Sequence, residues 1–250
     1  NIAASGVQTI TLASSLPSVT DTVIIDASTE PGYATSPMVV LNGNASVSNV
    51  LTLSGASANG STVRGLAINN FTGYGIWITG SSNNLIVANY VGTDATGSSA
   101  VGTTVANGIA LNNANNNVIG GSTAADRNLV AGNYYSGLLA FGGSTGNQIL
   151  GNYFGINAAG TAKVGAANAQ IELDAPGNIV GGLSAGQGNV IAGQQKLANM
   201  DLIEIWANGN NSQILGNLIG LNAAGTASLT AGGEDGIYVA SNNNILRQTV

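Results

Sequence analysis

One short pattern returns six times along the chain, and it restricts the fold more than any other feature. It reads Gly75-Ile76-Trp77-Ile78, Gly108-Ile109-Ala110-Leu111, Gly137-Leu138-Leu139-Ala140, Gln170-Ile171-Glu172-Leu173, Leu202-Ile203-Glu204-Ile205 and Gly236-Ile237-Tyr238-Val239. The aligned Ile or Leu positions lie 33, 29, 33, 32 and 34 residues apart. A second apolar motif follows each copy, as in Asn84-Leu85-Ile86-Val87, Asn117-Val118-Ile119-Gly120 and Asn147-Gln148-Ile149-Leu150. A third follows that, as in Asn128-Leu129-Val130-Ala131 and Asn189-Val190-Ile191-Ala192. Three short β-branched strands in about thirty residues leave no room for the helix of a βαβ unit, and they fit one turn of a three-sided solenoid.

A longer period lies over the shorter one. Gly92-Thr93-Asp94-Ala95-Thr96-Gly97 returns as Gly155-Ile156-Asn157-Ala158-Ala159-Gly160 and Gly220-Leu221-Asn222-Ala223-Ala224-Gly225, at offsets of 63 and 65 residues. The superrepeat is therefore two coils. Its hexapeptide could pass for a Ca²⁺ loop, but Asp94 gives way to Asn157 and Asn222, so a turn is the better reading. The corners are rich in the 37 Gly and 33 Asn of the chain. These residues accept the positive φ of tight bends, and corner Asn are expected to stack as amide ladders between coils.

Composition then removes whole classes of function. The 250 residues carry five Lys or Arg and eleven Asp or Glu, with no His and no Cys. Stacked coils repeat each side chain every ~4.8 Å, so like charges in a column would repel. Without His or Cys there is no common zinc site, no Ser-His-Asp triad, no thiol nucleophile and no disulfide. A net charge of −6 with dispersed cations argues against nucleic acid. No apolar run approaches the ~18 residues of a membrane helix, so no membrane insertion is expected.

Residues 1–60 read as less regular coils, with strands at Thr9-Ile10-Thr11-Leu12, Val23-Ile24-Ile25-Asp26, Val39-Val40-Leu41 and Leu51-Thr52-Leu53. Residues 61–250 are the regular coils. The expectation is an all-β chain forming a single right-handed parallel β-helix domain over 1–250. Both ends lack recognisable caps. The chain therefore reads as a segment of a longer solenoid, or as a subunit that self-associates head to tail into a filament.

On Ser61-Thr62-Val63-Arg64-Gly65-Leu66-Ala67-Ile68, Gly92-Thr93-Asp94-Ala95-Thr96-Gly97 and Asp126-Arg127-Asn128-Leu129-Val130-Ala131-Gly132-Asn133, the sequence resembles the right-handed parallel β-helix, or pectate-lyase-like, superfamily. It is most similar there to repeat segments of very large secreted or surface proteins of bacteria. The resemblance covers essentially the whole chain. It implies the fold and an extracellular or cell-surface setting, but no single activity, because this fold hosts lyases, hydrolases, epimerases, adhesins and stalks.

If the Ile or Leu column points inward, the next residue points out, and so does the one two further on. The first outward column reads Thr52, Trp77, Ala110, Leu139, Glu172, Glu204, Tyr238. The second reads Ser54, Thr79, Asn112, Phe141, Asp174, Trp206, Ala240. Asp201 and Asp235 sit at the strand-entry edge of the same face. The candidate ligand-binding residues are thus Trp77, Phe141, Glu172, Asp174, Asp201, Glu204, Trp206, Asp235 and Tyr238. Aromatic rings stack on sugar faces and carboxylates accept hydroxyl hydrogen bonds. A polysaccharide or cell-surface glycan is accordingly the expected partner. Glu172 and Glu204, on adjacent coils, are expected to raise one another's pKa.

The leading reading is a non-catalytic structural or adhesive module that contacts glycans. A polysaccharide hydrolase or lyase using Glu172, Asp174 and Glu204 is the enzyme alternative. The superfamily's lyases resemble a pattern needing a Lys or Arg base, yet Arg64, Arg127, Lys163, Lys196 and Arg247 all fall outside the strip. Its polygalacturonases need a His and an Arg-x-Lys segment, both missing here. Neither activity carries over. No cofactor is expected, with Ca²⁺ at Glu172, Asp174 and Glu204 as the lesser option.

Overall fold

The computed structural model describes residues 6–102, 106–165, 167–193, 201–229 and 236–249. It is built from three all-parallel sheets, two of eight strands and one of seven, with a single 3₁₀ turn at Ala56–Ala58 among the described residues. Each regular coil contributes one strand to each sheet. The first face takes Asn49–Ser54, Tyr74–Thr79, Asn107–Asn112, Ser136–Phe141, Ala169–Leu173, Ile203–Ile205 and Ile237–Val239. The second takes the strands from Ile24–Asp26 to Ile245–Arg247, and the third those from Gln8–Thr11 to Leu218–Ile219. This is the expected all-β parallel β-helix.

Period-two alternation along these strands sends every other side chain inward. Ile76, Ile109, Leu138, Ile171 and Ile203 form one fully buried column on the first face. Val63, Ile86, Ile119, Ile149, Val180 and Ile214 form another on the second, and Ile68, Val91, Val130, Phe154 and Ile191 a third. The three columns meet in one continuous core running along the solenoid axis.

Two corners are closed by buried amides. Asn84 donates its side-chain N–H to Asn117 Oδ1 (2.8 Å), Asn117 to Asn147 (2.9 Å) and Asn147 to Asn178 (2.9 Å). At the corner between the second and third faces, Asn89, Asn128, Asn152, Asn189 and Asn217 make a second ladder, with steps of 3.2, 3.0, 3.1 and 2.9 Å. Each ladder Asn also takes up a backbone group of a neighbouring coil, so polar groups that the bend would strand are satisfied in the dry interior.

The recurring Gly-x-Asx-Ala hexapeptide is a turn. In its three copies the chain folds back on itself through the antiparallel bridges Thr93↔Ala100, Ile156↔Lys163 and Leu221↔Ser228. Asp94 Oδ1 accepts the Ser98 N–H at 2.9 Å, Asn157 Oδ1 that of Thr161 at 2.8 Å, and Asn222 Oδ1 that of Thr226 at 2.8 Å. A side-chain oxygen closing the loop is the common requirement, which Asp and Asn both meet.

Candidate functional site

The register of the first face puts the outward residues in columns. Thr52 pairs with Trp77, Trp77 with Ala110, Ala110 with Leu139, Leu139 with Glu172, Glu172 with Glu204 and Glu204 with Tyr238. Ser54, Thr79, Asn112 and Phe141 align likewise in the second column. The residues in these columns do not form one continuous surface. Trp77 lies four strand spacings from Glu204, roughly 19 Å at ~4.8 Å per strand, and packs with Tyr74 at 5.5 Å between ring centroids. Thr52 and Ala110 are buried.

Phe141, Glu172, Asp174 and Trp206 converge, whereas Glu204, Tyr238 and Asp201 stay outside the lining. Leu139, Phe141, Glu172, Asp174, Trp206 and Ala207 line an open depression of about 400 Å³. Trp206 stands 41% exposed on its rim, and its ring meets Tyr238 edge-on at 5.7 Å. Asp235 lies outside the described residues. Asp201 is buried, and its backbone N–H donates to Glu204 Oε1 at 3.3 Å.

The three carboxylates differ in what holds them. The Ser136 hydroxyl donates to Glu172 Oε1, and the Asn208 amide donates to Asp174 Oδ1 at 2.8 Å. Glu204 is only 4% exposed. Burial pushes the Glu172 carboxyl above its ordinary range, the Ser136 hydrogen bond pulls it back, and the Asp174 charge adds to the rise. Burial also leads for Glu204, where the Asp201 backbone N–H opposes the rise and the Glu172 and Asp201 charges reinforce it. The expected mutual repulsion of Glu172 and Glu204 is one-sided and secondary to desolvation: the Glu172 charge raises Glu204, whereas the charge acting on Glu172 is that of Asp174. Ser136 and Asn208 were not visible as site residues in the sequence. One reaches Glu172 from the preceding coil and the other reaches Asp174 from a loop on the following coil, contacts that only the register defines.

Comparison with known families decides the relationship. The model of a family described as "Periplasmic copper-binding protein (NosD)" matches residues 3–195, more than three quarters of the chain. The chain belongs to the NosD family. That family's parallel β-helix agrees with the sheets described above. No curated protein and no solved structure matches the chain.

Membership corrects the expectation that no cofactor is involved beyond an optional Ca²⁺, because copper is the metal by which the NosD family is described. The residues of this NosD chain do not fit that metal. Copper favours imidazole, thiolate and thioether donors, and the sequence has no His, no Cys and two Met. Met38 is the one described methionine, and among the described residues no three His, Cys, Asp or Glu gather into a metal-binding group. The chemistry of the depression is therefore that of its own carboxylates and rings. Among the described residues, no helix is long and apolar enough to cross a membrane.

Proposed function

We propose that this NosD-family chain is a saccharide-contacting β-helix module of the cell envelope, binding through the depression between Phe141 and Trp206. The family's periplasmic description supports the location. The observation that carries the reading is the pairing of an exposed indole with fixed carboxylates in one open depression. Trp206 offers a flat apolar face of the size of a sugar ring, and Glu172 and Asp174 offer acceptors already oriented by Ser136 and Asn208. Pre-set acceptors cost less ordering on binding than free ones.

The same geometry favours contact over catalysis. Two-carboxylate glycoside hydrolysis needs both groups at the sugar. Here Glu204 is nearly sealed from solvent, and the remaining pair, Glu172 and Asp174, occupies consecutive outward positions of one coil instead of facing each other across the depression. The test is binding of the chain to an array of neutral and acidic oligosaccharides. Trp206→Ala should weaken the bound species about tenfold, some 1.4 kcal/mol, with an unchanged circular dichroism spectrum. Unaltered binding would remove the depression from the proposal. Release of reducing sugar ends by the wild type, lost in Glu172→Gln, would replace it with the hydrolase reading.

A further inference from the structure

The third face carries a second site, unrelated to the depression and centred on a cation rather than on carboxylates. Its column of outward parity runs through Tyr90, Leu129, Tyr153, Val190 and Leu218, each in register with the next. Tyr90, Leu129 and Val190 are buried, and Ala158 and Ala223 of the hexapeptide turns pack against this column. Two surface hollows lie along this column, of about 240 Å³ and about 440 Å³. Tyr90, Leu129 and Ala158 line the first, Val190 and Leu218 the second, and both are walled by Arg127 and Tyr153. Four strand spacings separate Tyr90 from Leu218, so the two hollows span roughly 19 Å at ~4.8 Å per strand.

Arg127 is held but not neutralised. Its guanidinium carbon lies 4.0 Å from the Tyr153 ring centroid, and its Nε–H donates to the Gly151 carbonyl at 3.1 Å. Its terminal N–H groups have no acceptor and no carboxylate partner among the described residues. The adjacent Asp126 is turned to the Thr123 hydroxyl, which donates to it at 2.6 Å. The Tyr153 hydroxyl likewise has no protein partner among the described residues, whereas the Tyr90 hydroxyl donates to the Thr35 carbonyl at 3.2 Å. A guanidinium fixed at its base by a stack and a backbone bond, with its fork left open, is the arrangement that receives an oxyanion bidentately.

We infer that the groove through Arg127 and Tyr153 binds a polysaccharide bearing anionic groups, with one carboxylate or sulfate on the Arg127 fork and sugar hydroxyls on Tyr153. Two adjoining hollows with Arg127 and Tyr153 as their shared wall offer places for more than one sugar unit, which suits a polymer rather than a free ion. A single cation in a chain of net charge −6 does not suit the phosphate density of nucleic acid. The acidic first face would repel the same polymer, so charge assigns it to the third face.

Titration calorimetry of the full chain with dextran, carboxymethyl-dextran and dextran sulfate of equal length keeps the backbone constant and varies only the anion. Binding of either charged polymer in excess of dextran, the excess being weakened by added salt, is the expected result. Carboxymethyl-dextran alone would assign a carboxylate, and dextran sulfate alone a sulfate. Arg127→Gln should weaken binding about tenfold, and Arg127→Lys less. Ser184→Glu, on an exposed loop lining the groove, should weaken it without touching the core. Trp206→Ala should leave it unchanged, which separates this site from the depression. Equal binding of dextran and its charged forms would overturn the inference. So would wild-type affinity in both Arg127→Gln and Ser184→Glu, or loss of binding in Trp206→Ala.

Discussion

Replacing Asn152 by Ala should show what the buried amide ladder contributes. Asn152 is fully buried. Its Oδ1 accepts the Asn128 backbone N–H at 3.1 Å and the Asn128 amide at 3.0 Å. Its Nδ2 donates to the Ile119 carbonyl at 2.9 Å and to Asn189 Oδ1 at 3.1 Å. Truncation removes all four bonds. The Asn189 oxygen keeps the Asn152 backbone N–H at 2.8 Å, but the Asn128 backbone N–H and one of its amide protons are stranded where water cannot reach. At ~1–3 kcal/mol for each stranded buried group, the loss is about 2–6 kcal/mol. That is a large share of the ~5–15 kcal/mol that holds a typical domain. Asn242→Ala, at an exposed side chain, should cost under ~0.5 kcal/mol. Urea unfolding followed by the fluorescence of Trp77 and Trp206, which lie in coils on either side, reports both variants. Asn152→Asp should be worse than Ala at neutral pH, because a carboxylate oxygen would face the Asn189 acceptor. It should recover in acid, where a protonated carboxyl can donate again. Equal costs for Asn152→Ala and Asn242→Ala would refute the claim that the ladder stabilises the corner.

Two further changes test the site and the loops. The folded state raises the Glu172 carboxyl above its ordinary value of 4.5, chiefly by burial. The group's contribution to stability is therefore full below that value and lost as pH rises through the folded one. Urea midpoints across pH should show Glu172→Gln flattening part of that fall and matching or exceeding the wild type at neutral pH; a steeper fall in the variant would contradict it. Gly155 has φ +69, and a Cβ there would run into the Ala192 carbonyl. Gly155→Ala should cost about 2–4 kcal/mol, read as a Tm lowered by roughly 5–15 °C; a Tm within a degree of the wild type would show that the turn relaxes freely.

The coil plan was legible because a solenoid writes its core in a short period. Ile76, Ile109, Leu138, Ile171 and Ile203 announce themselves by spacing alone, and their parity fixes which neighbours face out. Burial was not legible. Glu204 and Trp206 sit two residues apart on the same outward parity, yet one is 4% exposed and the other 41%. How an outward side chain is held depends on strand-entry segments and neighbouring coils, as where the Asp201 backbone N–H, at the entry of its own strand, donates to Glu204. The Arg127 groove was missed for a related reason. In the sequence Arg127 is one dispersed cation among five, and Tyr153 lies 26 residues away. Only the strand register, which sets Tyr153 beside Leu129, brings the ring under the guanidinium.

The repeat also explains why the two proposed sites can coexist on one narrow rod. Inward columns are shared by every coil, so a change there, such as the loss of an Ile, is felt by the coils above and below. Outward columns carry that constraint only where a loop covers them, as at Leu129 and Val190, and elsewhere each coil can present a different residue at the same height. Glu172 follows Leu139, and Tyr153 follows Leu129, without altering the column behind them. The acidic, aromatic depression and the Arg127 groove therefore lie on different faces, with the apolar core between them. Exposed charges separated by more than a Debye length of ~8–10 Å are largely screened. Neither face need adapt to the other, and Trp206→Ala and Arg127→Gln should each leave binding at the other face unchanged.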